Sequence, residues 1–347
     1  MDALIHHLEQ RQELTPREVA VAAELLLNPA TPDDKKARLL EALAQKGETP
    51  AEIAGFVEAF LGHAVEPHVG LLDLEGPTLD VCGTGGDQLD LFNVSTTAMF
   101  IAAAAGAVVV KHGNRGLTSH SGGADVLEAL GIRIDLPVDG FRRCLEKAGV
   151  GFMFAPLYHP AFKAVAAVRK TLAAKGVRTI FNLIGPLLNP AHPQCQMIGV
   201  FTRDLCPAFA EILQQLGRES AWVVYGTTGD GRSVDEVSLM GSTRICKSGL
   251  YQDIADEEVR PRDFGMKHCE VEDLRGGDAK TNAVILEAIL SGRDSGPKRD
   301  MVLMNAGAAL ACAGLADDMG DGIEISREMI TSGAAMERLR LLRKFAR

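Results

Sequence analysis

The strongest constraint on the fold is a glycine-rich loop between a predicted buried strand and a predicted helix. The strand is predicted for residues 78–82, and the chain continues as Gly83-Thr84-Gly85-Gly86-Asp87 and then Asn93-Val94-Ser95-Thr96. The glycines permit tight turns that expose successive backbone N–H groups, and Ser95 and Thr96 stand where a helix should begin. The pattern predicts a loop whose donors converge on an anion such as a phosphate.

Three interpretations of this loop compete. A dinucleotide-binding fingerprint requires a third glycine where this chain has Gln88, and its helix would begin at once. A nucleotide-binding P-loop requires a lysine, which this loop lacks. The third interpretation is a glycine-rich turn that binds no ligand, and the loop alone does not exclude it.

A second polar segment follows the apolar run 98–110. It reads Lys111-His112-Gly113-Asn114-Arg115, and Thr118-Ser119-His120-Ser121-Gly122-Gly123-Ala124-Asp125 comes soon after. Successive strands of a strand–helix–strand unit end at the same edge of a parallel sheet, so Lys111 should lie beside the glycine loop. The sequence therefore predicts a cation and several donors around one crevice.

The chain divides into a helical and an α/β part. Residues 1–65 carry apolar residues at helical spacing, and Thr15-Pro16, Thr31-Pro32 and Thr49-Pro50 each predict a helix start with threonine as the cap and proline at the first helical position. From residue 78 onward, short β-rich runs alternate with helices. Such alternation is typical of a mostly parallel α/β sheet.

Composition excludes several classes of protein. The formal net charge of -10 argues against a protein that coats nucleic acid. The seven cysteines are scattered without Cys-x-x-Cys spacing, which predicts reduced thiols in the cytoplasm and no zinc site. No targeting segment or membrane span is predicted, because the longest apolar run is too short to cross a bilayer.

Together with these two segments, later motifs make the chain resemble the anthranilate phosphoribosyltransferases of tryptophan biosynthesis. The motifs include Val168-Arg169-Lys170, Gly185-Pro186-Leu187-Leu188-Asn189-Pro190 and Val234-Asp235-Glu236-Val237-Ser238. The resemblance implies an α/β fold with a helical domain at 1–70, completed by helices near 160–190, and a larger α/β domain at 76–347. It also implies an active site in the cleft between them and a homodimer in the cytoplasm.

The resemblance further implies a role for each matching residue. The residues expected to bind phosphoribosyl pyrophosphate (PRPP) are Gly83, Gly86, Asp87, Asn93, Val94, Ser95, Thr96, Lys111, His112, Gly113, Asn114, Arg115 and Ser119. Those expected around anthranilate are Gly83, His112, Asn114, His159, Arg169, Gly185 and Pro186. Ser95, Asp235 and Glu236 are expected to bind Mg²⁺.

The implied reaction displaces pyrophosphate from PRPP by the amine of anthranilate and requires no covalent nucleophile. Three alternatives remain open: a transferase for a substituted anthranilate, a pyrimidine nucleoside phosphorylase, and a non-catalytic relative that binds nucleic acid. The chain also departs from the family pattern. Leu91, Gly123 and Tyr225 replace a threonine, a serine and a histidine, and an insertion covers 173–175.

Overall fold

The computed structural model describes residues 1–85, 89–116, 121–250 and 252–347. Four helices come first: α1 (Asp2–Glu9), α2 (Pro16–Leu27), α3 (Asp33–Lys46) and α4 (Pro50–Leu61). The strands are β1 (Thr78–Gly83), β2 (Val108–Gly113), β3 (Val150–Phe154), β4 (Cys195–Gly199), β5 (Ser220–Thr227), β6 (Ser233–Val234), β7 (Thr243–Gly249) and β8 (Gln252–Val259).

Further α-helices alternate with the strands and close the chain. They are α5 (Val94–Ala104), α6 (Gly123–Ala129), α7 (Val138–Ala148), α8 (Ala155–Tyr158), α9 (Ala166–Ala174), α10 (Leu205–Gln215), α11 (Val271–Leu274), α12 (Ala279–Leu290), α13 (Pro297–Cys312), α14 (Met319–Thr331) and α15 (Ala334–Phe345). Among the described helices, none is both long enough and apolar enough to cross a membrane.

Two of the three predicted threonine caps are confirmed. The side chains of Thr15 and Thr49 accept hydrogen bonds from backbone N–H groups in the first turns of α2 and α4, and proline occupies the first helical position of each. The third prediction was wrong by one residue, because α3 begins at Asp33 and Pro32 is its cap residue. Pro32 has an extended ψ of 140°, so Thr31 lies outside the helix.

The strands form one mostly parallel sheet, as the alternating pattern predicts. Its order is β3-β2-β1-β4-β5-β7-β8, with β6 paired to β5. The first five strands of this order are parallel, and β6, β7 and β8 pair antiparallel. Parallel strands bring the carboxyl ends of β1, β2 and β4 to one edge, which is where ligands bind in open α/β sheets.

Hydrophobic packing covers both faces of the sheet. One cluster joins Leu79, Val81 and Met197 to buried residues of α5, α13, α14 and α15. The other cluster joins Ile198 and Val223 to α10, to the first four helices and to apolar residues between positions 165 and 188. Alternate residues of β4 therefore face two different cores, and the segments around 165–188 pack with the N-terminal helices.

Candidate active site

The glycine loop contacts the acidic segment at the carboxyl ends of β1 and β4. Gly85 has a φ of 69°, and its backbone N–H donates to Oδ2 of Asp235 at 2.6 Å. The backbone N–H of Thr84 donates to the carbonyl of Gly199 at 2.9 Å. A Cβ on Gly83 would lie 2.6 Å from Oδ2 of Asp235. A Cβ on Gly199 would lie 1.6 Å from the carbonyl oxygen of Asp235. Glycine is therefore required for this close packing.

The acidic pair lies directly after the short strand β6. Asp235 is 8% exposed and Glu236 is half-buried. Within the described residues, no three acidic, histidine or cysteine side chains are arranged to hold a metal ion. Two hard carboxylates next to a glycine-rich loop suit Mg²⁺, which takes one or two protein carboxylates together with phosphate oxygens and water.

Lys111 lies beside the glycine loop, as its position at the end of β2 predicts. Its side chain is 4% exposed, and Nζ donates to the carbonyl of Val81 at 2.5 Å and to Oγ of Ser95 at 3.4 Å. Lys111 forms no ion pair with any described residue. One buried cation thus links β1, β2 and the first turn of α5 and stays available for an anion.

The start of α5 is fixed by its cap residue, Asn93. Its Nδ2 donates to the carbonyl of Ser121 at 3.1 Å, and its Oδ1 accepts from Nδ2 of Asn282 at 2.8 Å. Val94 begins the helix, and the side chain of Thr96 is 1% exposed. The Asn93 side chain therefore ties α5 to two other segments and does not cap its own helix.

The segment after β2 is held by charge pairs. Asn114 is exposed, and its Oδ1 accepts from the backbone N–H of Arg115 at 2.8 Å. The Arg115 guanidinium pairs with Asp125, at 3.2 Å, and with Glu128, and it lies 5.6 Å from the ring centre of Phe154. This side chain secures the segment against α6.

On the opposite face of the sheet, the rings of two histidines meet edge-on, with their planes at 74°, and form a buried wall. The ring centres of His112 and His159 are 5.2 Å apart. Nε2 of His159 donates to the carbonyl of Leu188 at 2.9 Å, so its Nδ1 carries no proton. In the described part of the chain, that Nδ1 and the Nε2 of His112 are buried without a hydrogen-bond partner.

Both histidines are held neutral by their surroundings. Burial lowers the pKa of His112 to about 3, with further lowering by the charges of His159 and Lys111. Burial also lowers the pKa of His159, and its hydrogen bond to Leu188 opposes that effect. Neutral imidazoles can accept or donate a hydrogen bond without repelling a cationic neighbour.

Arg169 extends this wall through an aromatic cluster. Its guanidinium lies 4.9 Å from the ring centre of Phe181, and burial lowers its pKa. Among the described residues it has neither a carboxylate nor a hydrogen-bonding partner. Phe162 stacks on His159 with ring centres 5.2 Å apart and meets Phe181 edge-on at 5.5 Å. An aromatic surface thus runs from the histidines to an unpaired cation.

Gly185 and Pro186 lie in a short 3-10 helix, Gly185–Leu187, next to this surface. Gly185 is exposed, and a Cβ there would meet no atom of the described residues within 4 Å. The carbonyl of Pro186 accepts a hydrogen bond from Nε2 of Gln196 at 2.8 Å. The segment is therefore anchored to β4 through Pro186, and Gly185 is exposed to solvent.

Three predicted site residues, Gly86, Asp87 and Ser119, lie outside the described residues. Sequence reasoning missed Phe162 and Phe181 as possible ring contacts, although Phe162 stands three residues after His159, a predicted site residue. It also missed the buried amides of Asn189 and Gln196. The closeness of Phe162 to His159 was the one sequence signal available for the ring contacts.

Comparison with known families shows which proteins share this arrangement. Residues 2–64 match the helical bundle domain of a glycosyl transferase family, and residues 75–336 match its a/b domain. An anthranilate phosphoribosyltransferase of Chloroflexus aggregans is 44% identical over 329 residues, covering 95% of this chain and 93% of that protein.

Solved structures agree with the sequence relatives. The anthranilate phosphoribosyltransferase of Thermus thermophilus superposes with a TM-score of 0.89 at 36% identity, covering 99% of both chains. The Saccharomyces cerevisiae enzyme in complex with PRPP and Mg superposes with a TM-score of 0.85 at 27% identity, covering 99% of this chain and 98% of that one. The chain therefore belongs to the anthranilate phosphoribosyltransferase family.

Proposed function

We propose that this chain transfers the phosphoribosyl group of PRPP to the amine of anthranilate and releases pyrophosphate. The observation that carries the proposal is the hydrogen bond from Gly85 to Asp235, because it joins a phosphate-binding type of loop to a pair of hard carboxylates. Lys111 and Ser95 lie at the same edge of the sheet. The family of the chain supports the same reaction.

PRPP binds on the α5 side of the sheet in this proposal. Backbone N–H groups of the glycine loop and of the first turn of α5 meet the phosphates, and the Lys111 ammonium exchanges its contact with Ser95 for a phosphate oxygen. Asn93, Val94, Thr96, Gly113 and the 114–115 backbone complete the binding surface. Gly86, Asp87 and Ser119 are assigned to it from the family pattern alone.

Asp235, Glu236 and Ser95 would hold Mg²⁺ together with pyrophosphate oxygens. A bound Mg²⁺ neutralises the charge that gathers on the leaving pyrophosphate. The carboxylate of Asp235 also keeps Gly85 in its turn, so the acidic segment supports both the metal and the loop. The yeast relative with PRPP and Mg supports this assignment.

Anthranilate binds against the wall on the other face. Arg169 holds its carboxylate, since a half-buried guanidinium without a carboxylate partner is suited to a bidentate contact. The rings of Phe162 and Phe181 enclose the aromatic ring. The unpartnered ring nitrogens of His112 and His159, with Asn114 and the 185–186 turn, face the amine and the ring edge.

Catalysis then consists of positioning and charge stabilisation. The amine of anthranilate is a weak nucleophile, so holding it in line with the anomeric carbon supplies much of the rate enhancement. Lys111 and the loop N–H groups stabilise the negative charge on pyrophosphate as the bond breaks. The unprotonated Nδ1 of His159 can accept a hydrogen bond from the amine, whereas the pKa of His112, lowered to about 3 by burial, makes that ring a poor base.

We also propose a homodimer in the cytoplasm. The family resemblance places the partner on the N-terminal helices, and the exposed apolar side chain of Val21 on α2 is compatible with a partner there. The free thiols of all seven cysteines support a reducing compartment. The domain division stays at 1–70 with helices near 160–190, followed by the α/β domain at 76–347.

The experiment mixes the protein with PRPP, anthranilate and Mg²⁺ and follows the loss of anthranilate fluorescence. The proposal predicts loss that depends on all three components. Faster consumption of a substituted anthranilate would favour the related transferase. Nucleic-acid binding without any consumption would favour the non-catalytic relative.

A further inference from the structure

Two fully buried asparagines hold the backbone segments that carry the two halves of the site. Asn189 and Asn305 are each 0% exposed, and neither is among the residues assigned to substrate or metal. Apart from one hydrogen bond of Asn305 within its own helix, the side-chain hydrogen bonds of both residues reach backbone or charged groups of the segments and strands around the site. Buried amides are costly to leave unpaired, so the bonds fix those segments firmly.

Asn305, on α13, binds both backbone groups of the residue that follows the acidic pair. Its Oδ1 accepts from the N–H of Val237 at 2.8 Å, and its Nδ2 donates to the carbonyl of Val237 at 2.9 Å. The same Nδ2 donates to the carbonyl of Met301 at 2.9 Å. These bonds hold the backbone of Val237, which follows Glu236 in the chain, against α13.

Asn189 holds the segment on the anthranilate side in the same way. Its Nδ2 donates to Oδ2 of Asp80 at 2.9 Å and to the carbonyl of Val110 at 2.7 Å. Its Oδ1 accepts from the N–H of Ala191 at 2.9 Å. The bonds tie the segment at 185–191 to β1 and β2, and the carbonyl of Leu188 in this segment orients His159.

A buried carboxylate strengthens this second anchor. Asp80 is 1% exposed and pairs in register with Gln196 on β4. Nε2 of Gln196 donates to Asp80 at 3.3 Å and to the carbonyl of Pro186 at 2.8 Å, while its Oε1 accepts from Nε of Arg218 at 2.9 Å. Both ends of the 186–189 segment are thus connected to the same carboxylate.

We propose that Asn305 is a positioning residue for the metal and pyrophosphate half of the site, and that Asn189 is a positioning residue for the anthranilate half. The assignment of a substrate to each half rests on the proposed function. Neither asparagine touches substrate. Each acts through the backbone of the segment it holds, so loss of either should affect one substrate and spare the other.

The experiment compares Asn189→Ala with Asn305→Ala in the full chain. Kinetic constants for anthranilate are measured at saturating PRPP, and the affinity for PRPP with Mg²⁺ is measured by calorimetry without anthranilate. Ser326→Ala is the matched control, because it removes another buried hydrogen bond, from Oγ to the carbonyl of Gly322 within α14.

Asn189→Ala should raise the KM for anthranilate by roughly tenfold or more and leave the calorimetric affinity within about twofold. Asn305→Ala should weaken that affinity by roughly tenfold or more, raise the Mg²⁺ requirement, and leave the KM for anthranilate within about twofold. Ser326→Ala should change melting temperature and neither constant.

Equal effects of the two variants on both constants, in an active wild type, would overturn the inference. If the alanine variants do not fold, Asn189→Leu and Asn305→Leu keep about the same volume, introduce no charge, lose the amide hydrogen bonds, and should show the same division. If the wild type binds PRPP but does not consume anthranilate, the proposed function fails. In that case calorimetry alone decides the inference, which requires the PRPP affinity to fall for Asn305→Ala and not for Asn189→Ala.

Discussion

The backbone N–H of Gly85 is hydrogen-bonded to the carboxylate of Asp235 over a separation of 150 residues. Gly85 adopts a positive φ of 69°, which side-chain-bearing residues rarely adopt. The bond satisfies one oxygen of a carboxylate that is 8% exposed. The shape of the glycine loop and the position of the acidic pair therefore depend on each other.

Replacement of Gly85 by valine should abolish PRPP binding. A β-branched residue is strained at this φ by about 1 to 3 kcal/mol, and relief of the strain would move the N–H groups away from the phosphates. No atom of the described residues lies within 4 Å of the new Cβ, so packing against them should not suffer. Calorimetry with PRPP and Mg²⁺ measures the effect. Gly47→Val is the control, because Gly47 at the end of α3 also has a positive φ, 87°, and this variant should keep normal affinity for PRPP. Full affinity for PRPP in folded Gly85→Val would show that the loop is only a turn.

Removal of the acidic pair should abolish Mg²⁺-dependent turnover. Alanine at Asp235 or Glu236 deletes a hard oxygen ligand, and the loss of rate should be roughly hundredfold or more while the fold survives. The assay is a Mg²⁺ titration of turnover together with circular dichroism. The exposed adjacent pair Asp33 and Asp34 is the matched control. Near-normal turnover of the Asp235→Ala, Glu236→Ala double variant in saturating Mg²⁺ would rule out the metal assignment.

Arg169→Ala should weaken the use of anthranilate specifically. Truncating one partner of a desolvated charge pair costs about 2 to 5 kcal/mol, which is a loss of roughly thirtyfold to several thousandfold in kcat/KM for anthranilate. Steady-state kinetics with each substrate varied in turn would measure it. The exposed neighbour Lys170, replaced by alanine, should behave as wild type. An effect of Arg169→Ala on the KM for PRPP alone would place the arginine in the other half of the site.

Stability should fall in acid partly through His112. Its pKa drops from 6.5 to about 3 on folding because the ring is buried, so below pH 6.5 the unfolded chain binds a proton that the folded protein does not. The contribution of His112 to the free energy of unfolding is complete above pH 6.5 and decreases as the pH falls toward 3. Between pH 7 and 5, wild type should lose about 2 kcal/mol more than His112→Gln in denaturant titrations. Parallel losses in the two proteins would contradict a buried neutral ring.

Local sequence signals predicted much of the fold. Thr-Pro pairs marked the starts of α2 and α4, since the cap and the proline act within one turn. The predicted strand at 78–82 corresponds to β1, and the parallel pairing of successive strands was enough to place Lys111 beside the glycine loop. The antiparallel strands β7 and β8 were not predicted, because β8 is largely exposed and carries an acidic run.

The supporting contacts of the site could not be predicted. The partners of Asn305 and Asn189 are mostly backbone groups far away in the chain, and a single amide residue carries no periodic pattern. The bond between Gly85 and Asp235 also depends on the ends of separate strands meeting in space. Such contacts depend on tertiary packing, which local propensity does not encode.

The most direct test measures the mass balance of the reaction. Wild-type protein is incubated with PRPP, anthranilate and Mg²⁺, and pyrophosphate release and anthranilate consumption are quantified together, with the product identified by mass spectrometry. The account predicts one pyrophosphate for each anthranilate consumed, a product with the summed mass of anthranilate and ribose 5-phosphate less one water, and no consumption when Mg²⁺ is chelated. Absence of that product, or pyrophosphate release that does not depend on anthranilate, would contradict it.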